Sequence, residues 1–198
     1  MNRPDLNTLS KEVFEANKAK GFHDVELSNE TLLMLVITEL SEAVEADRKS
    51  KRANLERFLK RIETSRSYKG LIPEITPDRA YEVIYNETIK GSIEEELADA
   101  VIRLLDLAGL RGISIRNDDP RKDRIDDQSL SEFSFWLIDY LFCTYGYILD
   151  KDSLTYKISR IIPQIEYYCE INQIDLWQHV SLKLKYNQTR PIKHGKNY

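Results

Sequence analysis

Apolar residues recur at intervals of three and four along nearly the whole chain, while glycine and proline are scarce, and this periodicity predicts an all-α protein. In residues 8–20, Leu9, Val13 and Ala16 share one face of a helix that stops near Gly21. A second helix starts after Ser28 or Asn29, each able to supply a capping oxygen, and carries Leu32, Leu33, Val36, Leu40 and Val44 as far as about residue 51. From there to Gly91 the pattern weakens. Residues 52–70 are charged and still compatible with a helix, whereas the two prolines of LIPEITPD exclude a long one, so residues 51–90 read as an insertion or lid. Ser92 followed by Glu95 is a capping-box signal that opens a strongly apolar helix ending near Gly112. The polar stretch RNDDPRKDRIDDQ reads as a solvated loop. Helices follow over residues 130–149 and 154–172, the second kinked at Pro163, and a short one over residues 176–187 leads into the tail QTRPIKHGKNY. There is no internal repeat, and 198 residues suit one domain over residues 1–198.

The helix EEELADAVIRLLD breaks its own apolar pattern at Glu96, Asp99, Arg103 and Asp106. At about 100° per residue these four fall within an arc of about 80°, a narrow polar stripe on an otherwise apolar rod. The second helix holds a matching feature in ELSEAVEA, where Glu39 and Glu42 continue the face of Leu32 and Leu35. If the two helices pack side by side, four carboxylates converge. At about 5 Å and an effective dielectric near 20, each like-charged pair repels by roughly 3 kcal/mol, more in total than Arg103 alone offsets. A further cation is therefore expected. Oxygen ligands on helices favour Mg²⁺ or Mn²⁺, whereas a di-iron or di-manganese bundle requires a histidine three residues after a glutamate, and here that position is Glu42 or Asp99.

Overall charge changes the picture little. Thirty-three acidic residues against 29 basic ones leave no general basic field for a nucleic acid polymer or an acidic membrane surface. Cys143 and Cys169 lack metal or redox spacing, the longest apolar runs are too short to span a bilayer, and the N-terminus has no apolar leader, so a cytoplasmic protein is expected. Local charge is more informative. After Asp175 no acidic residue occurs, while Lys183, Lys185, Arg190, Lys193 and Lys196 follow. Residues 173–198 thus read as a basic, phosphate-binding segment, in which Arg190 offers a bidentate fork and Asn187 and His194 add donors.

Taken in order, ELSEAVEA, IKGSIEEELADAVIRLLDLAG and KLKYNQTRPIKHGK resemble the MazG-like family of all-α nucleoside triphosphate pyrophosphohydrolases. The resemblance spans about residues 6–50, 88–113 and 173–197. It implies a four-helix-bundle core with extra helices and an insertion, in a protein that is a homo-oligomer, dimer or tetramer. It also implies cleavage of a nucleoside triphosphate, ribo or deoxy, to the monophosphate and pyrophosphate. Glu39, Glu42, Glu96 and Asp99 would be the catalytic Mg²⁺ ligands, and Lys185, Asn187, Arg190, His194 and Lys196 would bind substrate. Two positions depart from the family pattern: Leu182 stands at its first tail lysine, and Thr38 where many members carry an extra acid. The rival readings are a non-catalytic nucleotide- or metal-binding regulatory module, and a purely structural stripe paired to Arg48, Arg52 and Arg103. Phe22, His23, Trp136 and Tyr140 are candidates to stack on a base.

Overall fold

Helix α1 (Leu6–Ala19) starts where the Asp5 side chain accepts from the Thr8 amide at 2.7 Å, and α2 (Asn29–Arg48) where Ser28 accepts from Thr31 at 3.2 Å. These belong to a computed structural model that describes residues 2–67, 76–116, 127–143 and 149–192. Six further helices follow among the described residues: α3 (Leu55–Ser67), α4 (Pro77–Thr88), α5 (Ile93–Arg111), α6 (Leu130–Cys143), α7 (Lys151–Ile171) and α8 (Leu176–Thr189). No strand occurs among them, so the chain is all-α, as its periodicity predicts. None of these helices is long and apolar enough to cross a membrane.

The capping box at Ser92 forms only in part. Ser92 accepts from the Glu95 amide at 3.2 Å, but the Glu95 carboxylate reaches back to the amide of Gly91, one residue earlier than the ordinary box. At the other end of α5, Gly112 adopts the left-handed conformation at φ 59°, which a glycine takes without steric cost. The described part of residues 51–90 is more regular than its weak pattern suggests. Thr76 caps α4 by accepting from Arg79 at 3.2 Å, and Pro77 occupies the first turn, where its missing N–H removes no helical bond. The expected helix over 130–149 is described only as α6, and residues 144–148 and most of the expected polar loop lie outside the described residues.

Helix α5 is the keel of the molecule. It packs against α1, α2, α7 and α8, and Leu97, Ala98, Val101, Leu104, Leu105 and Ala108 are sealed from solvent. A smaller cluster forms where α3 and α4 meet α8, built from Phe58, Tyr81, Ile84, Tyr85, Ile89 and Tyr186. Helices α1 and α5 approach tightly at Gly109, where a Cβ would stand 2.6 Å from both the Phe14 Cβ and the Ser10 carbonyl oxygen of α1. Gly109→Ala is therefore expected to lower stability by about 1–3 kcal/mol, although alanine is the better helix former. Thermal unfolding tests this, with an expected drop in Tm of several degrees. A variant melting at or above the wild type would show that α1 yields without cost.

Candidate functional site

The first turn of α5 carries Glu94, Glu95 and Glu96, a favourable place for negative charge at the positive end of a helix. All three are buried, and each meets a different environment. Glu94 faces the linker after α2, accepting from Arg52 Nε at 2.5 Å and from the Ala53 amide at 2.9 Å. Glu95 accepts from the Tyr85 hydroxyl at 3.2 Å, from the Gly91 amide and from Lys183 Nζ. Glu96 has no hydrogen-bonding or ion-pair partner among the described residues. Burial, reinforced by the charges of Glu95 and Asp99, pushes its carboxyl up to about 8.

One turn along, Asp99 pairs with Lys183 Nζ, and from α2 Glu39 meets Arg103 Nε at 3.0 Å. Burial raises the Glu39 carboxyl above its ordinary value, and Asp99 adds to the effect against the opposing pull of Arg103. Glu39, Glu96 and Asp99 each place one carboxylate oxygen within 4.8 Å of the other two. The expected fourth member, Glu42, lies exposed at the edge of the same cleft, outside that group. The last member of the α5 polar stripe, Asp106, binds His23 Nε2 at 2.9 Å, so Glu96 is the member of the stripe without a partner among the described residues.

The cation that the converging acids require includes one supplied by the chain itself. Lys183 on α8 is buried and bridges Glu95 and Asp99. Burial opposes its charge, yet the two carboxylates outweigh that cost and hold the ammonium above its usual value. Lys183 and Asn187 on α8, and Arg190 at its C-cap, line a cleft of about 440 Å³ together with the acids. Tyr186 fixes this face: its ring stacks on Tyr85 at 4.3 Å, and the Lys183 and Arg190 cations lie 5.8 and 5.6 Å from its centroid. The acidic and basic groups, distant in sequence, thus line one space.

Lys185 does not line that space. It lies over the Tyr81 ring at 4.5 Å, because a residue two positions from Lys183 sits about 200° around the helix. Leu182, at the departure from the family pattern, packs against the α3–α4 cluster and accepts from the Tyr81 hydroxyl at 2.9 Å. His194 and Lys196 lie outside the described residues. Of the aromatic candidates, Phe22 lines the cleft, His23 is engaged by Asp106, and Trp136 stacks with Tyr140 on α6, away from the lining. Arg48 pairs with Glu45 and Arg52 with Glu94, which leaves Arg103 as the arginine that meets a member of the acid group. The sequence analysis passed over Lys51, Lys90, Asn17 and Asn86, all of which line the cleft; they lie on different elements, and no local pattern unites them. The three converging oxygens suit a hard divalent cation, which prefers carboxylate ligands and tolerates a partly open coordination sphere. Comparison of the chain with protein-family models, with curated proteins and with solved structures gave no match.

Proposed function

We propose that the protein is a Mg²⁺-dependent nucleoside triphosphate pyrophosphohydrolase of the MazG-like kind, a cytoplasmic homo-oligomer that converts its substrate to the monophosphate and pyrophosphate. The observation that carries the reading is the shared cleft, in which Glu39, Glu96 and Asp99 face Lys183, Asn187 and Arg190. Glu39, Glu96 and Asp99 would hold Mg²⁺ or Mn²⁺, with Glu42 on the cleft's edge as the further acid of the motif. When bound, the ion would supply charge neutralisation for phosphate oxygens and a lowered pKa for a nearby water. The chain does the rest. Arg190 offers a planar fork to phosphate oxygens, Lys183 a point charge, and the Asn187 amide a neutral donor. Arg103 orients Glu39, and Tyr186 keeps both α8 cations facing the reacting region.

The test is pyrophosphate release from a panel of canonical and modified nucleoside triphosphates, with Mg²⁺, with Mn²⁺ and with chelator. Equal amounts of monophosphate and pyrophosphate are expected, with no release under chelator. Orthophosphate with diphosphate as products, or no turnover of any nucleotide, would overturn the assignment. One observation favours a second reading, in which the acids are structural: Arg103 and Lys183 already compensate Glu39 and Asp99. That reading expects Mg²⁺ to leave the melting temperature unchanged.

A further inference from the structure

Helix α5 orders the cleft along its length. Gly91 stands just before it, Glu96 and Asp99 lie in its first two turns, and Ile102 and Arg103 come a turn later, so the lining runs from Gly91 along about 15 Å of helix to Arg103. The Asp106–His23 bond then places the turn after α1, with Phe22, at the far end. The two ends differ in character. The far end offers Phe22, Ile102 and the amide of Asn17, whereas the near end offers two ammonium groups, Lys51 and Lys90.

Both lysines are exposed and unpaired among the described residues, in contrast to their neighbours. Lys49 binds Glu45 at 3.0 Å and Arg52 binds Glu94 at 2.5 Å. Glu95 already accepts from three donors, Asp99 pairs with Lys183 and Glu39 with Arg103, and neither lysine forms an ion pair with the two remaining carboxylates of the lining, Glu42 and Glu96. The Lys51 main chain is fixed, its amide donating to Ala46 O at 2.9 Å and its carbonyl accepting from Ile93 N at 3.2 Å. Its side chain crosses Gly91, where a Cβ would lie 2.5 Å from Nζ and where φ is +71°. The chain thus keeps a side-chain-free position under this ammonium. Gly91 N binds Glu95, and Glu95 binds Lys183, which places Lys51 beside the row of charges leading to Asp99.

We propose that Lys51 and Lys90 form a terminal-phosphate subsite that orients a polyphosphate substrate along α5, its nucleoside toward Phe22 and its β- and γ-phosphates toward Gly91. The inference rests on the pyrophosphohydrolase reading and adds to it a direction and a pair of substrate-binding residues. Lysine suits the role, because a flexible point charge follows a terminal phosphate that departs as pyrophosphate.

Product inhibition separates the two ends of the cleft. In the full chain, with Mg²⁺ present, the Lys51→Ala/Lys90→Ala variant is expected to weaken inhibition by pyrophosphate at least about tenfold, and to raise KM for the triphosphate by a similar factor. Inhibition by the nucleoside monophosphate should stay within about twofold, and Lys51→Arg/Lys90→Arg should restore pyrophosphate affinity in large part. Equal weakening of both products, or of neither, overturns the subsite. If the wild type hydrolyses no nucleotide, the functional reading fails separately, and calorimetric titration with magnesium pyrophosphate decides the subsite. Binding that is lost with the two lysines sustains it, and binding indifferent to them overturns it.

Discussion

Replacing Glu96 with glutamine is expected to abolish metal-dependent hydrolysis while making the metal-free protein more stable. The amide keeps the shape of the side chain and removes a ligand charge, so kcat/KM should fall by at least about a hundredfold. The stability gain follows from linkage. Burial raises the Glu96 carboxyl to about 8, above its unfolded value, so its contribution is fully present below about pH 4.5 and is lost as the pH rises through about 8. Glutamine mimics the neutral acid and escapes that loss. At pH 8.5 without metal, Glu96→Gln should therefore exceed the wild type by on the order of 1 to 3 kcal/mol, and the gap should close toward pH 4.5. In the wild type, the rise in Tm produced by millimolar Mg²⁺ should be greater at pH 8.5 than at pH 6, since proton and cation compete for one carboxylate. Denaturant melts at the two pH values, with Mg²⁺ or chelator, test these points. A variant that turns over like the wild type removes Glu96 from the site.

The opposite behaviour is expected of Lys183→Met, where the buried cation is lost and the acids remain. Removing one partner of a buried pair leaves uncompensated charge, at a cost of about 3–5 kcal/mol, and here Asp99 and Glu95 both lose their counterion. Added Mg²⁺ should recover a substantial part of that loss if the neighbouring carboxylates bind it, because a ligand bound only to the native state stabilises it. On the proposed function, hydrolysis should remain impaired even at saturating Mg²⁺, since the ion would offset the Asp99 charge without restoring the α8 ammonium. Chemical unfolding of the variant with and without Mg²⁺ gives the decisive comparison. Equal stability in both would identify the acids as an ion-paired structural stripe and set aside the metal site.

The acid group was legible because Glu96 and Asp99 interrupt an otherwise apolar α5 and Glu39 continues an apolar face of α2, both local properties of a helix. What completes the group was not local. Lys183 lies far from Asp99 in sequence, and the family resemblance implied Lys185 in its place. Helical phase was the available signal: Lys183, Asn187 and Arg190 share a face that Lys185 does not. Glu42 stays at the edge because α2 buries the face of Val36, Leu40 and Ala43, and Glu42 sits about 160° around the helix from Leu40. Helix α4 was obscured for another reason. Its apolar face, Tyr81, Ile84 and Tyr85, is diluted by Asp78, Arg79, Glu82 and Glu87, and becomes a buried face only where α3 and α8 meet it.

Because α5 is at once the keel of the fold and one wall of the cleft, the two properties cannot be varied independently. Most of its positions are buried, so substitutions on it readily disturb the core packing around its acids. The residues that reach the cleft from elsewhere, Phe22 after α1, Lys51 after α2, Lys90 after α4 and Arg190 at the end of α8, stand on connections and helix ends, where change is structurally cheap. On the proposed function, adaptation to a new substrate would therefore proceed by exchange of these outlying side chains around a constant acidic spine, with the chemistry kept and the selectivity rewritten.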